Sequence, residues 1–179
     1  MLQTSRLVLR PLEPDDLPDL IRYHIRSEFI RYLPIPVQTP ETIAKFLNER
    51  LAEESDPNRK GWEFGIVPKD VGHVVGTVRI GLRPREDRAA YLAYGIDIDF
   101  RGRGYVTEAV NAVIAFGFDE LKLHRIWATA DIENPESTRV MERVGMHREC
   151  LMREDKFIRG EWRSSLLYAI LVSDGRTSQ

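Results

Sequence analysis

The sequence predicts an α+β domain in which a twisted, mixed and mostly antiparallel sheet of about seven strands is flanked by about four helices. Extended segments follow one another at 61–82 and again at 150–171, which indicates antiparallel hairpins. Between them, residues 89–145 alternate as strand, turn, helix, strand and helix. Because 179 residues suffice for one sizeable core, we expect a single domain over 1–179.

The first part of the chain predicts one strand and two helices. A short strand is expected over 6–12, followed by a helix over 13–24 that opens with acidic residues. Two prolines favour a loop over 31–38. Thr39 as N-cap and Pro40 in the first turn predict the second helix, whose apolar residues recur at helical spacing.

The middle of the chain predicts a meander of three strands. Residues 61–67 and 73–82 are rich in β-branched and aromatic side chains and are separated by a turn. A charged connection over 83–88 leads to the next strand, over 89–98.

The last part predicts two more helices and a closing hairpin. After a turn at 99–104, apolar residues three and four apart predict a helix that ends near Leu121. A short strand over 124–130 and a helix over 134–145 follow. The remaining strands pair about a turn at Arg159–Gly160.

Composition excludes several classes of protein. A net charge of -2 and a pI near 6.1, without a basic patch interleaved with aromatic residues, argue against nucleic-acid binding. The single cysteine, Cys150, excludes an internal disulfide, is expected to be a small buried side chain, and shows no metal-ligand spacing with the four histidines. Near the N-terminus, Arg6, Arg10 and Asp15 leave no apolar segment typical of a signal peptide, and no apolar run reaches the roughly 18 residues of a membrane span, so we expect a cytoplasmic location.

A turn rich in glycine and arginine precedes the third helix, where residues 99–110 read DFRGRGYVTEAV. Gly102 and Gly104 can adopt positive φ, which lets successive N–H groups point into one concavity at the positive end of a helix dipole. The turn is either a phosphate cradle or a tight turn with solvated arginines. Thr107 stands where a dinucleotide fingerprint would need glycine, and no Walker sequence is present.

A second polar turn opens the fourth helix, with Asn134 and Ser137 three residues apart. Together the two turns resemble those of the GNAT superfamily of acyl-CoA-dependent N-acyltransferases, in its ribosomal-protein-alanine (RimJ/RimL) branch. The similarity extends over almost the whole chain, from TSRLVLRPLEPDDL near the start to GEW and YAIL near the end. The resemblance implies a GNAT fold, acetyl-CoA as cosubstrate, a primary amine as acceptor, no metal, and association into a homodimer.

The resemblance also assigns binding residues. In the superfamily, a turn of the form Arg/Gln-x-x-Gly-x-Gly/Ala binds the coenzyme A pyrophosphate, and here Val106 replaces its last small residue. The strand backbone around Ile96 would run beside pantetheine. The residues implied in coenzyme binding are Ile96, Asp97, Ile98, Arg101, Gly102, Arg103, Gly104, Tyr105, Val106, Thr107, Asn134 and Ser137.

Catalytic roles follow from the same resemblance. The Ile96 backbone amide would stabilise the oxyanion that forms from the thioester. Many members protonate the departing thiolate with a tyrosine seven residues beyond the asparagine, but Met141 occupies that position here. Ser137 is the alternative hydroxyl, unless it only caps its helix, and Asn134 would orient the coenzyme or the strand end.

The general base and the acceptor stay open at this stage. Glu63 is the leading candidate for the base, and Glu154 and Asp155 are alternatives. A chain of waters would also suffice, because an α-amino group has a pKa near 8, which is close to neutrality. The acceptor is a protein N-terminus or a small-molecule amine such as an antibiotic, amino acid or polyamine; a non-catalytic acyl-CoA sensor is the alternative outside the enzymes. Aromatic candidates for the acceptor groove, which could equally be packing residues, are Phe29, Tyr32, Trp62 and Tyr94.

Overall fold

A computed structural model describes residues 1–83 and 88–174, and these form one eight-stranded sheet with five α-helices. The strands are β1 (Leu2–Gln3), β2 (Leu7–Arg10), β3 (Gly61–Pro68), β4 (Gly76–Leu82), β5 (Ala89–Ile96), β6 (Arg125–Asp131), β7 (His147–Ile158) and β8 (Glu161–Leu171). The helices are α1 (Leu17–His24), α2 (Ser27–Ile30), α3 (Pro40–Glu54), α4 (Tyr105–Asp119) and α5 (Pro135–Arg143). The α+β class is confirmed; β1 and α2 had no predicted counterpart because each is too short to show a period.

Local signals placed most boundaries within a few residues. The predicted cap of α3 is confirmed, since Thr39 Oγ1 accepts the Thr42 N–H at 3.3 Å. Strand β5 ends at Ile96, before the expected residue 98, because Asp97 begins a short 3₁₀ turn. Of the connection predicted over 83–88, residues 84–87 lie outside the described part of the chain.

The sheet order is β1-β2-β3-β4-β5-β6-β8-β7, and every neighbouring pair is antiparallel except β5 with β6. That parallel pairing covers only Ala89–Tyr91 against Arg125–Trp127. Beyond these residues, β5 pairs with β4 alone and β6 with β8 alone. The two central strands therefore part and leave a gap in the middle of the sheet.

Two apolar layers hold the helices on the sheet. On one face, buried residues of β4 and β5 such as Val78 and Leu92 pack with Val110 and Val113 of α4. On the other face, a smaller cluster joins α1 and α3. Helix α4 therefore has a fixed position, and its first turn lies at the gap between β5 and β6.

Cys150 is exposed, so the expectation of a buried thiol was wrong. It lies on β7, an edge strand of the sheet, next to a register shift between Arg148 and Cys150 that leaves this stretch outside the core. Among the described residues, no helix is long and apolar enough to cross a membrane. The same residues contain no group of three or more histidine, cysteine or acidic side chains that could hold a metal ion.

Candidate active site

The glycine turn before α4 has the backbone geometry of an anion cradle. Gly102 has φ +76° and Gly104 has φ +78°, values that other residues rarely adopt. No side chain caps α4, and the first bond within the helix runs from the Glu108 N–H to the Gly104 carbonyl at 3.1 Å. The N–H groups of the first turn thus have no partner within the helix, which is the arrangement that binds phosphate at helix N-termini.

Arg6 and Glu108 brace this turn from outside. The Arg6 guanidinium donates to the Arg103 carbonyl at 2.9 Å and to the Glu108 carboxylate at 2.7 Å. Burial raises the pKa of Glu108, but hydrogen bonds from Thr4, Arg6 and Ser5 outweigh it and lower the pKa to about 2. The carboxylate is therefore charged at neutral pH and holds the N-terminal segment on α4.

A cavity of about 400 Å³, here called the main cavity, opens at the gap between β5 and β6. The glycine turn, the first turn of α4, the end of β5, α2 and α5 all contribute to its lining. Nine of the twelve residues predicted to bind the coenzyme line it: Ile96, Arg101, Gly102, Gly104, Tyr105, Val106, Thr107, Asn134 and Ser137.

The other three predicted residues, Asp97, Ile98 and Arg103, are not among the lining residues. Asp97 is fully buried, and its carboxylate accepts from Arg22 at 3.1 Å and from Arg26 at 3.3 Å. It therefore connects the end of β5 to α1 and the residue before α2. The Arg103 guanidinium stacks on the ring of Phe100 and donates to the Asp99 carbonyl at 3.1 Å, within its own turn.

The backbone N–H of Ile96 is directed into the gap between β5 and β6. The next residue, Asp97, donates its N–H at 2.8 Å to the Val75 carbonyl, on the β4 side. Consecutive residues of a strand direct their backbone groups to opposite sides, so the Ile96 N–H faces away from β4. Because β5 has no partner on the β6 side here, this donor opens onto the main cavity.

Ser137 lies in the first turn of α5, but its hydroxyl does not cap that helix. Asn134 is the N-cap, since its Oδ1 accepts the Ser137 N–H at 3.2 Å. The Ser137 hydroxyl instead lies 2.9 Å from the phenol oxygen of Tyr94, on β5. Ser137 and Ile96 both line the main cavity, and the capping role that the sequence left open for Ser137 falls to Asn134.

Glu63, the leading candidate for the general base, is not among the residues that line the main cavity. Burial raises the pKa of its carboxyl, while Arg79, 3.6 Å away, lowers it in part. Glu154 is exposed and Asp155 is half-buried on β7, and neither lines this cavity. The structure thus brings none of these three predicted bases together with Ile96 and Ser137.

Three of the four predicted aromatic residues do line the main cavity, namely Phe29, Tyr32 and Tyr94. Trp62 instead packs edge-on against Phe116, with ring centroids 6.0 Å apart. Sequence reasoning missed Glu28, on α2, and Leu33, just after it, because a four-residue helix leaves no periodic signal. It gave no function to Arg139 and Arg143, which line the cavity from α5.

A second cavity, of about 560 Å³, adjoins the main cavity, and Tyr32 lines both. It lies between α2 and the β7–β8 hairpin. Its charged lining consists of three arginines and two glutamates: Arg31, Arg159, Arg163, Glu133 and Glu161.

The model of the acetyltransferase (GNAT) domain family matches residues 6–147. The chain belongs to the GNAT acetyltransferases. It is 32% identical to the Bacillus subtilis protein named probable N-acetyltransferase YjcK, over 97% of this chain and 98% of that protein. It is 26% identical to the ribosomal protein uS5-alanine N-acetyltransferase of Escherichia coli, over 97% and 91%.

Solved structures agree with this assignment. A GNAT-family acetyltransferase from Bacillus anthracis has a TM-score of 0.84 and 30% identity to this GNAT protein, covering 94% of this chain and 96% of that chain. A spermidine N-acetyltransferase from Vibrio cholerae, in complex with CoA and spermine, has a TM-score of 0.82 over 96% and 98%. At 22% identity, the second comparison shows the fold alone.

As a GNAT acetyltransferase, the protein is an enzyme that uses acetyl-CoA as cosubstrate. The residues present fit that cosubstrate. Two glycines with positive φ precede an uncapped helix, and the adjoining cavity has the volume of a typical ligand site. When bound, acetyl-CoA supplies an activated acetyl group, and the glycine turn is the part of this chain suited to its phosphates.

Proposed function

We propose that this GNAT acetyltransferase transfers the acetyl group to a primary amine, in particular the α-amino group of a peptide or protein N-terminus. One observation carries the proposal: the glycine turn, Ile96 and Ser137 all line the main cavity. A phosphate cradle, an oxyanion donor and a hydroxyl for the leaving sulfur are what acyl transfer from a thioester requires.

In the proposed reaction the amine nitrogen attacks the thioester carbonyl directly. A C–N bond forms, the C–S bond breaks, the nitrogen loses one proton to water, and the leaving thiolate takes one up. The Ile96 N–H donates to the carbonyl oxygen as negative charge develops there. Losing such a donor typically costs about 2.7–4 kcal/mol of barrier, so this backbone group matters as much as any side chain.

The second cavity is the proposed entrance for the acceptor, and its charges favour a peptide N-terminus over a polyamine. Its three arginines face three carboxylates, because Asp131 accepts from Arg163 at 2.8 Å beside Glu133 and Glu161. A polyamine carries several positive charges, for which this lining has no excess of carboxylates, whereas an N-terminus carries one and offers peptide groups to both charge types. A spermidine-like acceptor is therefore the second candidate, as found in a Vibrio cholerae relative of the same fold.

The proposal assigns no protein side chain as general base. Glu63 lies away from the main cavity and is paired with Arg79. An α-amino group has a pKa near 8, so a useful fraction is neutral at physiological pH, and water can take the remaining proton. A cytoplasmic location and a homodimer stay predictions.

The experiment is a measurement of free thiol released from acetyl-CoA by a panel of acceptors. Peptides that begin with alanine or serine should be acetylated faster than spermidine, and the same peptides with a blocked N-terminus should be inert. Faster turnover of spermidine than of every peptide would contradict the assignment of the acceptor. The Ser137→Ala variant should bind acetyl-CoA and turn over more slowly; equal turnover would remove Ser137 from the proposal.

The Gly104→Trp variant tests the cradle. Its side chain would fill the turn, so we expect acetyl-CoA binding to be lost. The circular dichroism spectrum should be unchanged, because position 104 lies outside the buried core. Unchanged affinity in this variant would exclude the glycine turn as the phosphate site.

A further inference from the structure

Tyr94 lies beside Ser137 in the main cavity, and two oxygen atoms of Ser137 lie within hydrogen-bond distance of its phenol. The Tyr94 Oη is 2.9 Å from the Ser137 Oγ and 3.0 Å from the Ser137 carbonyl oxygen. A phenol carries a single hydrogen, so it donates to only one of these atoms at a time. The same heavy-atom positions therefore allow two hydrogen-bond arrangements.

In the first arrangement, Tyr94 donates to the Ser137 carbonyl, and the Ser137 hydroxyl donates to the Tyr94 oxygen. In the second, Tyr94 donates to the Ser137 Oγ, and the serine hydrogen is free to point elsewhere. Both arrangements satisfy the phenol. They differ in whether the Ser137 hydrogen is directed at Tyr94 or into the main cavity.

We propose that Tyr94 is a positioning residue for Ser137, which directs the serine hydroxyl to the thioester sulfur as negative charge develops there. This inference rests on the proposed function, in which Ser137 serves the leaving sulfur. Charge on the sulfur favours the second arrangement, because a hydrogen bond to a charged acceptor is stronger than one between neutral groups. Ser137 keeps its hydrogen throughout, and the thiolate takes its proton from water.

The surroundings of Tyr94 suit this role. Burial raises the pKa of Tyr94 to about 12, although the hydrogen bond with Ser137 lowers it in part. The phenol thus stays protonated and remains a donor at neutral pH. Met141, at the position where many superfamily members have tyrosine, is fully buried in the core and does not line the main cavity. Tyr94, on β5, is the phenol that contacts the Ser137 hydroxyl.

The test measures the pKa of the CoA thiol when CoA is bound. We would titrate the ultraviolet absorbance of the thiolate in the complex with CoA, with the desulfo-CoA complex as the blank. A hydrogen bond from the Ser137 hydroxyl stabilises the thiolate, so the thiol pKa should be about one unit lower in the parent than in the Ser137→Ala and Tyr94→Phe variants. The double variant should show no further rise, because the two hydroxyls act as one unit.

Other charges in the main cavity are common to all these variants: Glu28, Arg101, Glu136, Arg139 and Arg143. Tyr168→Phe is the matched control for a merely structural role. The Tyr168 phenol donates to the Glu142 carboxylate at 3.0 Å and so tethers the other end of α5. Tyr168 does not line the main cavity, and its removal should leave the thiol pKa unchanged.

The possible outcomes distinguish a failure of the role of Tyr94 from a failure of the proposed function. If CoA binds but its thiol pKa is the same in the parent and in Tyr94→Phe, the role of Tyr94 is refuted while the proposed function stands. If the thiol pKa shifts equally in Tyr168→Phe and in Tyr94→Phe, Tyr94 only holds α5 in place, which also refutes its proposed role. If the parent does not bind CoA, the proposed function itself fails.

Discussion

Replacing Gly104 by alanine should weaken acetyl-CoA binding far more than the same change at Gly72. Both glycines have φ near +80°, a conformation that costs alanine about 1–2 kcal/mol. Neither new methyl group meets an obstacle: at Gly104 the nearest atom is Arg6 Nη2 at 3.4 Å, and at Gly72 no atom lies within 4 Å. The two variants therefore carry the same backbone strain, but only Gly104 lines the main cavity.

The magnitude follows from that strain. Each variant should lose about 1–2 kcal/mol of stability, which lowers Tm by about 2–8 °C in a protein of this size. At Gly104 the strained turn is also the binding site. If the turn relaxes to relieve the strain, the competent fraction falls by about 5–30-fold, and the Kd for acetyl-CoA rises by the same factor.

Thermal unfolding and calorimetric titration of both variants with acetyl-CoA provide the check. Gly72 lies in the turn between β3 and β4, away from the cavity, so Gly72→Ala should lose stability without losing affinity. Equal affinities in the two alanine variants would refute the reasoning, because the φ of Gly104 would then matter to folding alone.

Two further predictions concern stability, and a third concerns the segment 30–35 beside the main cavity. In urea unfolding, Glu108→Gln should lower the free energy of unfolding by about 1–2 kcal/mol at neutral pH, after allowance for solvent screening, and should have no effect near pH 2. The parent should lose the same contribution as the pH falls from 4.5 to about 2. Burial lowers the pKa of His24 to about 4, so the unfolded chain takes up the proton at a higher pH than the folded chain. The parent should therefore lose about 3 kcal/mol of stability as the pH falls from 6.5 to 4, and His24→Phe should abolish this pH dependence in the same assay. Arg159 donates to the carbonyls of residues 30, 31, 33 and 35, beside the main cavity, and so holds this segment in place. Arg159→Met should therefore raise the KM for acetyl-CoA about tenfold in steady-state kinetics, with partial recovery in Arg159→Lys. An unchanged KM would refute this role of Arg159.

The sequence was most informative where a local rule determines structure. Thr39 and Pro40 located the start of α3, and the positive φ of Gly102 and Gly104 is what a glycine pair before a helix predicts. The sheet class followed from consecutive strands and short turns. These features depend on neighbours in the chain, so one sequence suffices to read them.

Contacts between distant segments could not be predicted in this way. Tyr94 meets Ser137 across 43 positions of sequence, and Asp97 turns into the protein toward Arg22 because α1 packs there. Nothing local distinguishes Asp97, which is buried, from Asp99, which is exposed. The exposure of Cys150 depends on β7 being the last strand of the sheet, which is a property of the topology.

The most direct test of the central claim is calorimetric titration of the protein with acetyl-CoA, desulfo-CoA and ATP. If the glycine turn and the main cavity bind the cosubstrate, both CoA compounds should bind tightly and ATP weakly, because ATP lacks the pantetheine that would lie along β5. Binding of neither CoA compound would contradict the account, since the turn before α4 would then serve only to connect a strand to a helix.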